Sequence, residues 1–128
     1  DNVVSISCLE HVKDLYSLFK NLKKYTSKET KHLHIINFSN HLNKQYPFKY
    51  LYENKNIVFN KKYNNTINLL RPSDYRKILD LHNFKYTLTV LDTYPLNKQE
   101  IIEDWTEKYT MDDLSIITAI ITIEGYSN

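Results

Sequence analysis

The sequence has 128 residues, 41% hydrophobic and 25% charged, with 17 Lys or Arg against 15 Asp or Glu. Such a chain fits one folded domain, is too short for two cores of ordinary size, and has the composition of neither a disordered segment nor a fibre. Its single glycine, Gly125, excludes both G-x-G-x-x-G and G-x-x-x-x-G-K-[ST], because phosphate-cradling loops need several glycines where the backbone approaches the ligand or takes positive φ.

From the N-terminus, Ser7-Cys8-Leu9-Glu10 has the form of a capping box, and Leu9, Val12, Leu15, Tyr16, Phe19 and Leu22 keep helical period through to Lys24. The stretch "SKETKHLHIINFSNHLNKQ" supports a helix on Leu33, Ile36 and Asn40 or on Ile35, Phe38 and Leu42, or else a strand from His32 to Phe38; the helix is favoured. "YLYENKNIVFN" reads as a hairpin, two β-rich runs around the polar turn Glu53-Asn54-Lys55-Asn56. "RPSDYRKILDLHN" suits a short helix with Pro72 at its start and Ile78, Leu79 and His82 inward. "FKYTLTVLDTYP" alternates Tyr86, Leu88 and Val90 against Thr87, Thr89 and Leu91, as a strand halted by Pro95 does.

Asn97 with Glu100 opens a further helix carrying Ile101, Ile102, Trp105 and Tyr109 on its apolar face. The closing "TMDDLSIITAIITIEGYSN" is too short and too interrupted to span a membrane. Its β-branched isoleucines favour a strand. Thr110 placed before Asp113 favours a helix start, Leu114, Ile117, Ile120 and Ile121 form a stripe, and Gly125 stands where a helix would end. The helix is preferred, so that residues 98–124 form a helical hairpin. The expected fold class is α+β: four to five helices with a small, mostly antiparallel sheet, ending in that hairpin.

The lone Cys8 excludes an internal disulfide and a thiolate zinc site, which points to an intracellular compartment, cytoplasmic or nuclear. Abundant Lys, Asn, Ile and Tyr, all with A/T-rich codons, point to an AT-rich genome. A start at Asp1 without a charged-then-apolar leader reads as residues 1–128 being a single domain excised from a larger protein.

Charge is unevenly spread. Residues 1–64 hold eleven Lys against five acids, +6, and residues 65–128 hold six Lys or Arg against ten acids, −4. The cluster Lys20, Lys23, Lys24, Lys28 and Lys31, with Tyr16 and Tyr25 interleaved, is the nucleic-acid candidate, since phosphates need cations and bases stack on rings. Neither arginine, Arg71 or Arg76, lies in it, so any binding there is weakly specific.

His32, His34 and His41 lie close in sequence, but H-x-H suits a strand and H-x6-H a helix, so no single conformation converges them and no metal is expected. Cys8 reads as a small packed side chain rather than a nucleophile. The acids Glu100, Glu103, Asp104, Glu107, Asp112 and Asp113 read as a solvated helix face. No cofactor or catalytic residue is expected.

The favoured function is a non-catalytic protein–protein interaction or assembly domain of a larger intracellular protein, with Trp105, Tyr109 and Tyr126 as interface candidates. A weakly specific nucleic-acid-binding domain using the Lys-rich half is the first alternative, and an enzyme of unrecognised type the second. A protein partner is expected, nucleic acid is a possible partner, and no membrane is involved.

Overall fold

The computed structural model describes residues 1–53 and 61–128. The order is β1 (Asn2–Ile6), a 3-10 turn (Leu9–His11), α1 (Leu15–Tyr25), β2 (Lys31–Asn37), α2 (Tyr50–Glu53), α3 (Lys61–Asn64) and α4 (Pro72–Leu81). Then come β3 (Phe84–Thr93), a second 3-10 turn (Lys98–Glu100), α5 (Glu103–Lys108), α6 (Met111–Ser115) and β4 (Ile116–Tyr126). Only α1 and α4, at 11 and 10 residues, exceed six residues among the described helices.

The strands form one mixed sheet in the order β1-β2-β4-β3. β1 and β2 run parallel, with α1 in the crossover that parallel neighbours require, while β2–β4 and β3–β4 are antiparallel. The expected architecture is therefore corrected. The sheet is mixed rather than small and mostly antiparallel, and no helical hairpin ends the chain: residues 116–126 are β4, the longest strand, lying between β2 and β3.

The closing stretch explains the error. Thr110 does cap a helix, its hydroxyl accepting from Asp113 N at 3.2 Å, but α6 ends after five residues and the β-branched run from Ile116 continues as a strand. Gly125 is not a helix terminator. With φ +126° it sits beside a register shift of the β3–β4 ladder, and a Cβ there would collide with the Lys28 carbonyl.

Three further expectations give way. The capping box at Ser7–Glu10 is absent; Cys8 makes no side-chain cap, and α1 starts at Leu15 with Asp14 accepting from Ser17 N at 2.9 Å. Residues 31–37 are a strand with His32, His34 and Ile36 inward, not a helix. In the expected hairpin, residues 50–53 are helix α2; the rest of it, residues 54–60, lies outside the described residues.

Buried residues gather in two clusters. In the first, α1 and α4 cover one face of the sheet, packing Leu15, Phe19, Tyr75 and Leu79 on Ile36, Phe84, Ala119, Ile121 and Ile123. Each of the Leu, Ile and Phe side chains among them contributes about 1.5–3 kcal/mol by leaving water. The second cluster is aromatic, with Phe48, Tyr50, Tyr63, Trp105 and Tyr109 around Leu51 and Leu114. Arg71, fully buried, joins the two. Its guanidinium lies over the rings of Phe38 and Phe48 and donates to the carbonyls of Phe38, Asp113, Leu114 and Ile116. Among the described residues no helix is long and apolar enough to cross a membrane.

Candidate functional site

Among the described residues, the helices cover one face of the sheet only. Because side chains alternate along a strand, the other face carries the alternate residues of each strand. The register puts Val4, Leu33, Thr122 and Thr87 in one row across it, and Ile6, Ile35, Ile120 and Thr89 in the next. Val4 is 61% exposed, Ile6 66% and Leu33 37%, and Thr87, Thr89 and Thr122 are exposed as well. The aliphatic groups lie at the β1–β2 side, the threonines at the β3 side, and exposed Asn2 and Lys31 continue β1 and β2 beyond the first row.

The two edges of this sheet differ. β3 is ten residues long, carries Lys85 and Asp92, and is broken by register shifts, all of which discourage a further strand. β1, Asn-Val-Val-Ser-Ile, has neither charge nor proline nor bulge. Among the described residues, nothing covers its outer edge or the apolar rows beside it, and the two form one continuous surface.

Beneath that surface, on the helix side, lie His32 and His34. Burial lowers both below the ordinary histidine range, His34 to about 4, where the neighbouring His32 charge is the second cause. His34 Nδ1 meets the Ser5 hydroxyl at 2.7 Å, while its Nε2 and both nitrogens of His32 have no hydrogen-bond partner among the described residues. His41 does not join them. It is exposed on the loop after β2, its ring edge-on to His11 with centroids 4.9 Å apart.

The other residues singled out in the sequence are dispersed. Trp105 and Tyr109 are buried, Tyr109 donating to Asp74 at 2.7 Å, so neither is at the surface; Tyr126 is half-buried, its hydroxyl donating to the carbonyls of Lys23 and Thr26. Lys20, Lys24, Lys28 and Lys31 are exposed, and Tyr25 is 76% exposed with the Lys24 ammonium over its ring. Lys23 is turned inward to the carbonyls of His82 and Ser127. Cys8 is exposed rather than packed. Glu100, Glu103, Asp104, Glu107 and Asp112 are exposed, whereas Asp113 accepts from Ser73 N and Oγ at 2.9 and 2.7 Å, tying α6 to α4.

Val4 and Ile6 were missed because β1 was not recognised as a strand. The signal available was the alternation of Asn2, Val4 and Ile6 with Val3 and Ser5, too short to stand out from a polar surrounding. No family model, curated protein or solved structure matches the chain.

Proposed function

We propose that this chain is a non-catalytic protein-interaction domain whose partner covers the uncovered sheet face at its β1–β2 side. The observation that carries this reading is the contiguous aliphatic set Val4, Ile6, Leu33, Ile35 and Ile120, left facing outward by a sheet whose other face is filled. An apolar centre with polar residues at its margin is the anatomy of a protein contact. An edge strand without charge or bulge offers a partner backbone hydrogen bonds in addition.

Chemistry favours protein over nucleic acid on this face. Its rows hold aliphatic groups and threonines but no aromatic ring, whereas single-stranded nucleic acid is held on a sheet by stacking bases on rings. The exposed Lys20, Lys24, Lys28 and Tyr25 support a second reading, phosphate contact at the end of α1. One experiment separates the two. A photo-crosslinking residue is placed at Leu33, at Tyr25 and, as a control, at Lys77 on α4, and the adducts formed in the native cell are analysed. Protein adducts from position 33 that vanish with Ile6→Asp, in a variant that keeps its circular dichroism, support the proposal. Adducts at position 25 carrying nucleic acid, with none at 33, would overturn it in favour of the lysine cluster.

A further inference from the structure

Glu10 and His11 are neighbours on the 3-10 turn after β1, and His41 is on the loop after β2. One ring nitrogen of each histidine and one Glu10 oxygen all lie within 4.8 Å of one another. Glu10 gives this proximity its meaning. The residue is only 2% exposed, and neither carboxylate oxygen has a hydrogen-bond partner among the described residues. The ion pairs among the described residues, Lys49–Glu53 and Lys62–Glu53, do not include it. A carboxylate ionised there without compensation costs several kcal/mol, a cost that a cation bound at this point would offset.

His11 supplies the second observation. Its Nδ1 lies 2.6 Å from the Thr66 carbonyl oxygen. A carbonyl only accepts, so Nδ1 is the donor, which in the neutral imidazole leaves the Nε2 lone pair for a ligand. Metal-bound imidazoles are oriented in the same way, one nitrogen donating to a backbone carbonyl and the other coordinating.

The frame is held by two asparagines. Asn68 Nδ2 donates to the carbonyls of Leu9 and Val12 at 2.9 and 2.8 Å, and Asn68 N to Glu10 O at 2.6 Å, which clamps the turn. Asn40 accepts from the amides of Leu42 and Asn43 and donates to the carbonyls of Tyr46 and Pro47, which fixes the backbone around His41. His41 also stands in the wall of a cleft of about 650 Å³ beside Ser39, Asn40 and Lys44.

We propose that Glu10, His11 and His41 bind one divalent ion of the zinc type, linking the turn after β1 to the loop after β2. Two imidazoles and one carboxylate suit zinc, whereas magnesium and calcium take oxygen ligands alone. Bonds of about 2.0–2.1 Å in tetrahedral geometry set ligand atoms about 3.4 Å apart, so binding requires the exposed His41 side chain to draw in toward Glu10 and His11 while His11 stays on the Thr66 carbonyl. Three protein ligands leave the fourth position to water.

The test is calorimetric titration of metal-free protein with zinc chloride, repeated with Co2+ to read coordination from its visible absorption. The proposal expects one ion per chain, a higher Tm with zinc, and a four-coordinate Co2+ spectrum. His41→Ala, a change at an exposed position, should lower zinc affinity at least about tenfold, since even residues that only orient a metal ligand are worth 10–100-fold. Glu10→Gln should do the same, and if it fails to fold His41→Ala decides. No zinc binding, or binding that His41→Ala leaves unchanged, overturns the site.

Discussion

Arg71 Nη1 donates to the Tyr50 hydroxyl at 2.9 Å, and both groups donate to the Phe38 carbonyl, at 3.1 and 2.9 Å. The guanidinium is held by carbonyls and rings and by no carboxylate within ion-pair distance among the described residues. Its planar fork reaches acceptors on both sides of the seam between the two buried clusters, and this is where Arg differs from Lys.

Arg71→Met should therefore lower stability by about 1–3 kcal/mol for each buried carbonyl left without a donor, those of Leu114 and Ile116 first, since Phe38 keeps the Tyr50 hydroxyl. Arg71→Lys should recover only a minor part, since one ammonium cannot span these acceptors. Urea unfolding followed by Trp105 fluorescence measures both. A loss below about 1 kcal/mol for the Met variant would contradict the bridging role.

How far this could be foreseen differs from segment to segment. β3 and α4 were legible because each carries its signal locally: strict alternation from Tyr86 to Val90, and Pro72 at the start of an apolar stripe ending in Leu79 and His82. In α4 the turn-off is local too, with Asn83 at φ +56° in the left-handed region after the last turn. The closing segment was misread because two correct signals, the Thr110 cap and the isoleucine run, belong to adjacent elements and were assigned to one. Arg71 was unreadable, since the acceptors that make its burial tolerable come from Phe38, Asp113, Leu114 and Ile116, remote in sequence. The Glu10, His11 and His41 cluster fails for the same reason. Thirty residues part His11 from His41, and only folding brings them together.

Gly125→Ala tests the corrected end of the chain. A helix terminator would tolerate Ala at the modest cost of a left-handed residue, but here a methyl group also meets the Lys28 backbone carbonyl, which cannot swing aside like a side chain. The expected loss is about 2–4 kcal/mol, and Tyr126 should release its hydrogen bonds to Lys23 and Thr26 as the strand end shifts. Thermal unfolding, with amide exchange at Tyr126, gives the answer; a variant within about 0.5 kcal/mol of the parent would contradict the close approach.

The lysines of α1 should divide by role. Lys23→Ala removes donors to the His82 and Ser127 carbonyls and the cation over the Tyr126 ring, and should lower stability by about 1 kcal/mol. Lys20→Glu, Lys24→Glu and Lys28→Glu change exposed side chains and should stay within about 0.5 kcal/mol each. Chemical denaturation of the four variants decides, and equal losses would mean that Lys23 is as free as its neighbours.

Acid should weaken the fold through the histidines under the sheet. Burial holds His34 at about 4, with the His32 charge adding to the effect, and lowers His32 as well. In the unfolded chain both return to about 6.5. Below that pH the unfolded state takes up protons that the folded state refuses, so stability is complete above about pH 6.5 and falls as pH drops toward 4. The fall levels off once folded His34 itself protonates. A displacement from about 6.5 to 4, at 1.36 kcal/mol per unit, makes the His34 share about 3 kcal/mol at the foot of that window. The carboxylates of Asp14 and Glu53, held below their ordinary values by hydrogen bonds from Ser17 and Tyr63, lose their contribution mainly below this range. His34→Leu should therefore lower stability at pH 7 only by what the Ser5 hydrogen bond and ring packing contribute, and should flatten most of the slope between pH 6.5 and 4. Urea midpoints for both chains at pH 7, 5.5 and 4.5 measure this, and a parent midpoint that does not move across the series would mean that His34 is reached by water.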